Sequence, residues 1–300
     1  MLKIAYDPIY CHPLPDGHRF PMAKYELLPK QLLYEGTVEE ENFFRPTFPS
    51  IDLILAVHDE NYLDQLLNLK LTPREQRKTG FPHSEQLIQR EQIIMNGTVQ
   101  CAIYALEYGC AINIAGGTHH AFTNRGEGFC LLNDQAIAAQ YLLDKQLANK
   151  ILIIDLDVHQ GNGTAEIFEQ NPNVFTFSMH GRNNYPLHKE RSDLDVELED
   201  NTLDKRYLDI LEKSLNEILR LFTPDFVFYQ CGVDIISTDK LGKLGVSIPG
   251  CKQRDEFVFN FVKQQNLPIV CSMGGGYSPE IKHIIEAHAN TYRTAQHLFF

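Results

Sequence analysis

Ile151-Leu152-Ile153-Ile154-Asp155-Leu156-Asp157-Val158-His159-Gln160-Gly161-Asn162-Gly163 carries more structural information than any other stretch of the chain. Four apolar residues lead directly into an alternation of Asp155, Asp157 and His159. An apolar run of this length suits a strand buried on both faces of a parallel sheet. Alternate residues of an extended chain share one face, so such a strand carries two carboxylates and an imidazole together to its end. Burying these carboxylates without a cation is costly. One carboxylate and one imidazole at this spacing can ligate a single ion.

On either side of this segment, other short β-rich apolar runs lie at Leu53–Val57, Ala111–Ala115, Val174–Ser178, Phe226–Cys231 and Pro268–Met273. Between them are amphipathic stretches at Ser84–Tyr108, Asn133–Leu147, Leu203–Phe222 and Pro279–Arg293, with Asn133-Asp134 suited to cap the second. Strands alternating with helices predict an α/β fold with right-handed crossovers. The expectation is a single-domain three-layer sandwich around a mostly parallel sheet, spanning residues 1–300. Lys70–Pro82 reads as a surface loop and Arg182–Asp200 as a long polar loop.

Ligands of open α/β sheets bind outside the carboxyl ends of the strands, and four apolar runs end in unusual polar residues. Ala115-Gly116-Gly117-Thr118-His119-His120 ends in adjacent histidines. Tyr229-Gln230-Cys231-Gly232-Val233-Asp234 ends in a carboxylate. Met273-Gly274-Gly275-Gly276-Tyr277 brings a phenol after three glycines, and Asp155 to His159 is the fourth. A mixed Asp/His/Asp set leaves a fourth position open for water, the mark of a catalytic zinc site. Thiolate ligands are absent from the set, so Fe(II) or Co(II) also suit it.

Composition narrows the class. The formal net charge of −12 argues against direct binding of nucleic acid and fits a cationic partner or substrate. The seven cysteines are odd in number and form no CxxC pair, so they read as buried small apolar groups rather than disulfides. With no secretory signal and no run long enough for a membrane span, a cytoplasmic location is expected.

Gly116-Gly117-Thr118-His119-His120-Ala121, Gly128-Phe129-Cys130-Leu131-Leu132-Asn133-Asp134, Asp155 through Thr164, Val233-Asp234 and Gly274-Gly275-Gly276-Tyr277 together resemble the zinc-dependent histone deacetylase family, which has the arginase/deacetylase fold. The short chain and Asn184-Tyr185-Pro186 are most similar to class IV and bacterial members. The resemblance implies that Asp157, His159 and Asp234 hold zinc, that His119 is the general base, and that His120 protonates the leaving amine. It implies that Tyr277 steadies the developing oxyanion and that Asp155 orients His119. Asp155, Ser178 and Met179, with the carbonyls of Asp157 and His159, would hold a monovalent cation such as K(+). Gly128, Phe129, Tyr185 and Gly276 would bind substrate, and Arg19 would line an inner product channel.

The implied activity is hydrolysis of an acetyl or longer acyl group from the lysine of a protein or peptide, or from a small acylated amine. Two departures stand out. Asn162 stands where some members place an aspartate beside His120, and Leu241 stands where polyamine-specific members carry a glutamate. No rim aspartate is evident, although Glu85 is nearby in sequence. A silent acyl-lysine binding module is the rival reading from another class. His283 and His288 lack metallopeptidase spacing and read as helix-surface residues.

Overall fold

The computed structural model describes all 300 residues, Met1–Phe300. In chain order the elements are β1 (Lys3–Ala5), α1 (Lys24–Tyr34), β2 (Phe43–Phe44), α2 (Ile51–Leu55), α3 (Glu60–Leu67), α4 (Pro73–Thr79), α5 (Glu85–Tyr108), β3 (Cys110–Asn113), α6 (Asp134–Asp144), β4 (Ile151–Asp155), α7 (Asn162–Phe168), β5 (Val174–Gly181), β6 (Leu194–Leu198), α8 (Asp204–Leu221), β7 (Phe226–Gln230), α9 (Ile248–Gln264), β8 (Ile269–Ser272) and α10 (Ile281–Phe299). The strands form one eight-stranded sheet in the order β2-β1-β3-β8-β7-β4-β5-β6. Every neighbouring pair is parallel, so the sheet is wholly rather than mostly parallel.

Burial explains the strand sequences. Every residue of β3, β4, β5, β7 and β8 is buried, as expected where helices cover both faces. Helix α5 packs on β1, β3, β8 and α6, while α1, α10, α9 and α8 pack on one another in succession. A single cluster of 80 buried apolar residues runs through these layers. The helices start where the chain supplies caps. Ser84 Oγ accepts from the Leu87 N–H at 3.1 Å to open α5, and Asn133 Oδ1 accepts from the Ala136 N–H at 3.1 Å to open α6.

Three sequence expectations are corrected. Leu53–Val57 is not a strand. Ser50 caps a short helix there, α2, with Ile54 buried and Leu55 exposed, so the apolar run has one inward side rather than two. Lys70–Pro82 contains α4, started by a reciprocal Thr72/Glu75 capping box and ended by Gly80 at φ 79°. Arg182–Asp200 contains the edge strand β6, whose mostly half-buried residues blur the apolar signal.

Parallel strands put all their carboxyl ends along one edge. The register aligns Asn113, Ser272, Gln230, Asp155 and Ser178 in a polar row across β3, β8, β7, β4 and β5. The four polar strand-end motifs follow β3, β8, β7 and β4, which are consecutive neighbours in the sheet.

Candidate active site

Backbone bonds hold the four loops against one another. The Asp157 N–H donates to Asp155 Oδ1 at 3.1 Å, and the His159 N–H donates to Asp157 Oδ1 at 3.0 Å. The Val158 N–H donates to Asp234 Oδ1 at 2.9 Å, tying the loop after β4 to that after β7. The Gly275 N–H donates to Asp157 Oδ2 at 2.9 Å and brings in the loop after β8. Glycine is required here, because a Cβ on Gly275 would lie 2.1 Å from Asp234 Oδ2. Gln230 donates from its amide to the Gly117 carbonyl at 2.8 Å, and Asp134 accepts from the Thr118 N–H at 2.8 Å, fixing the approach to the histidine pair.

At the meeting point, ligand atoms of Asp157, His159 and Asp234 all lie within 4.8 Å of one another, and all three side chains are buried. His159 Nδ1 stands 3.1 Å from both Asp157 Oδ1 and Asp234 Oδ2. Burial works against a charged imidazole, but the two carboxylates overcome it and raise the His159 pKa to about 10. Burial, then repulsion from Asp157, raises the Asp234 carboxyl to about 7. Two buried carboxylates thus draw one positive charge into the gap between them. An imidazole nitrogen and two carboxylate oxygens are the donors a divalent ion accepts, so this set fits a metal.

The histidine pair lies beside this cluster, ring centroids 4.1 Å apart. His119 Nδ1–H donates to Asp155 Oδ2 at 2.7 Å, and its Nε2 is 4.0 Å from Asp157 Oδ1. His120 Nδ1–H donates to Asn162 Oδ1 at 2.6 Å. Their partners separate them electrostatically. Burial lowers the His119 pKa but Asp155 and Asp157 raise it overall. Burial, then His119 and His159, push His120 well below the usual range.

Two cavities meet at these residues. The inner one, about 40 Å³, reaches from His119, Asp157 and Tyr277 back to Arg90 and Tyr25. The outer one, about 270 Å³, opens from His120, His159 and Tyr277 past Phe129 and Tyr185 to solvent. Phe129 and Tyr277 are 6.0 Å apart by ring centroid, and Tyr185 stands edge-on 5.0 Å from His120. Gly128 lines both cavities; a Cβ there would meet His120 Cδ2 at 2.7 Å.

Some residues singled out from sequence fall elsewhere. Arg19 is exposed and lies on the outer cavity, its guanidinium carbon 4.9 Å from the Phe129 ring centre. The arginine on the inner cavity is the buried Arg90. Gly276 lines neither cavity and packs against Val233, Ile284 and His288. His288 is buried behind it rather than on the helix surface, because α10 turns that face onto the glycine loop. Glu85 opens α5 and lines neither cavity. Ser178 pairs in register with Asp155 and its Oγ lies 2.9 Å from His180 Nδ1; Met179 is buried beside it.

Other contributors gave no sequence signal. Lys24 is fully buried in α1, donates to the Gly274 carbonyl at 2.9 Å and lies 5.7 Å from the Tyr277 ring centre. Burial lowers its pKa to about 8. Asp239 accepts from the Tyr277 N–H at 2.6 Å. Arg254, also fully buried, donates to the carbonyls of Cys231 and Gly232 behind the strand ends. Each sits within a segment that reads as ordinary helix or loop.

Fold and site together describe an α/β protein with an Asp/His/Asp cluster at the carboxyl edge of a parallel sheet. The histone deacetylase domain model matches residues 18–292, and the chain belongs to that family of hydrolases. An uncharacterised protein of Picosynechococcus sp. is 43% identical over 99% of both chains. Histone deacetylase 2 of Arabidopsis thaliana is 32% identical over 89% of this chain and 72% of its own. Among solved structures, an HDAC homolog complexed with SAHA superposes with a TM-score of 0.83 at 26% identity, covering 97% of this chain and 82% of the other. An HDAC homolog from Aquifex aeolicus gives 0.82 at 25% identity, with the same coverage. No helix is long and apolar enough to cross a membrane.

Proposed function

We propose that this chain, acting as one catalytic domain, is a metal-dependent amide hydrolase that removes an acetyl or longer acyl group from an acyl-lysine side chain. The observation that carries the reading is the buried Asp157–His159–Asp234 cluster at the inner end of an aromatic-walled cavity that also holds His119, His120 and Tyr277. Asp157, His159 and Asp234 would hold one divalent ion, zinc first and Fe(2+) next, which when bound polarises a carbonyl and acidifies water. Asp155 of β4 and Ser178 and Met179 of β5 would hold a K(+) ion.

The protein groups divide the remaining chemistry. The acyl carbonyl lies between the metal site and Tyr277, whose hydroxyl donates to the oxyanion. Burial, then Asp234 and Asp157, push the Tyr277 pKa well above the usual value, so the phenol keeps its proton. His119, held by Asp155, takes the proton from the attacking water at Nε2. His120 gives its Nδ1–H to the neutral Asn162 oxygen, leaving Nε2 an acceptor. We therefore assign protonation of the leaving amine to His119, and to His120 the orientation of water. Phe129 and Tyr185 flank the lysine methylenes, and the Gly128 carbonyl accepts from the substrate amide.

The test is initial rates of acyl release from one lysine peptide carrying acetyl, octanoyl or myristoyl, with acetylspermidine alongside. Wild type is expected to release at least one acyl group, and Tyr277→Phe to lose about 10²–10³ of kcat, as for other single oxyanion donors. Equal rates in the two proteins would remove Tyr277 from the chemistry. Metal uptake without any turnover would favour an acyl-lysine binding module.

A further inference from the structure

The charge at the mouth of the outer cavity runs opposite to the charge of the chain. Acidic residues outnumber basic ones 39 to 27, yet the cavity lining contains Arg19, Lys78 and Lys243 and no carboxylate. All three cations are exposed. Arg19 lies over Phe129 and makes no ion pair, and Lys243 bonds only through its backbone, its N–H donating to Asn184 Oδ1 at 3.3 Å and its carbonyl accepting from the Asn201 N–H at 2.7 Å.

Nearby carboxylates are already engaged. Glu127 accepts from the Tyr185 hydroxyl at 2.6 Å and from Arg125 Nε at 2.9 Å, and Lys78 Nζ is 3.6 Å away. One carboxylate thus faces two cations and a phenol. Asp239 accepts from the N–H groups of Leu241, Gly242 and Tyr277 and lines neither cavity. Leu241, which does line the mouth, adds no charge.

We propose that this mouth selects acyl-amine substrates whose non-acyl part carries a carboxylate. The inference rests on the amide-hydrolase reading above and names the substrate class within it. Unpaired cations around a concave opening focus a positive potential there, which concentrates anionic ligands and repels cationic ones. A polyamine or a lysine-rich tail would bring positive charge against Arg19 and Lys243 with no counter-ion, so rejection is built in alongside attraction. The carboxylate has two sources: an Asp or Glu flanking the acyl-lysine in a peptide, or the free α-carboxylate of an acyl amino acid.

The experiment measures kcat/KM of the zinc-loaded enzyme at low and physiological salt. The substrates are three acetyl-lysine peptides alike except for Glu, Gln or Lys flanks, Nε-acetyl-lysine as free acid and as amide, and acetylspermidine. The Glu-flanked peptide should exceed the Lys-flanked one by roughly tenfold, within the range of electrostatic steering, and salt should narrow the gap. Lys243→Glu should remove or invert the preference while the Gln-flanked rate stays within about twofold; Arg19→Glu should act in the same direction. A free-acid preference without a peptide preference identifies an acyl amino acid as the source, and the reverse identifies an acidic peptide. Turnover of the Gln-flanked peptide with neither a Glu-flank nor a free-acid preference overturns the charge inference and leaves the hydrolase reading intact. Absence of turnover on every substrate overturns both.

Discussion

Two adjacent histidines with the same side chain are made different by one atom in each partner. Asp155 gives His119 a charged acceptor at 2.7 Å, whereas Asn162 gives His120 a neutral one at 2.6 Å. An imidazole that must gain and lose a proton needs the stabilising charge. His119→Ala should therefore lower kcat by about 10³, within the range of general acid–base contributions, and His120→Ala by less. Initial rates at saturating substrate decide the matter, and a larger loss at His120 would return the proton-donor role to it. Much of this site is legible in the sequence because its residues sit at strand ends, where a carboxylate or histidine interrupts an apolar run. Lys24 and Arg254 are not legible. Each is a cation inside a helix, and only the fold reveals that its ammonium or guanidinium reaches the carbonyls of Gly274, Cys231 and Gly232.

Among the elements, the central strands are the plainest in the sequence because burial on both faces leaves their residues almost wholly apolar. β3, β4, β5, β7 and β8 all fall within or beside apolar runs. The strands toward the two margins of the sheet are not plain. β1 has three residues, β2 has two, and β6 is mostly half-buried, so neither length nor pattern marks them. The run at Leu53–Val57 misleads for the converse reason: five apolar-rich residues fit a strand or a helical turn, and the Ser50 cap selects the helix. Strand order is invisible in sequence, yet it makes the site. β7 and β8 insert between β3 and β4, which brings Asp234 and Tyr277 to residues more than 70 positions earlier.

For the molecule as a whole, the burial that builds the site also sets a pH limit on stability. His58 is 2% exposed; its Nδ1–H donates to the Phe122 carbonyl at 2.9 Å, and its Nε2 accepts from the Asn133 N–H at 3.0 Å. Burial lowers its pKa from 6.5 to about 4. The folded pKa lies below the unfolded one, so this stabilisation is complete above about pH 6.5 and is lost as pH falls towards 4, amounting to about 3 kcal/mol. Urea unfolding across that window should show a steeper loss in wild type than in His58→Gln, and parallel curves would contradict the assignment. Net charge is another property of the whole chain, and the value of −12 conceals the local cations of the cavity mouth, which only the folded arrangement collects. The proposed role of Asp157, His159 and Asp234 is to hold the one metal ion on which hydrolysis depends. It is tested most directly by stripping the protein with a chelator and adding zinc back while acetyl release is recorded. Activity should rise in proportion to zinc and level off at one ion per chain, with neither uptake nor rate recovered in His159→Ala. Full activity in the stripped protein, or equal zinc uptake by the variant, would contradict it.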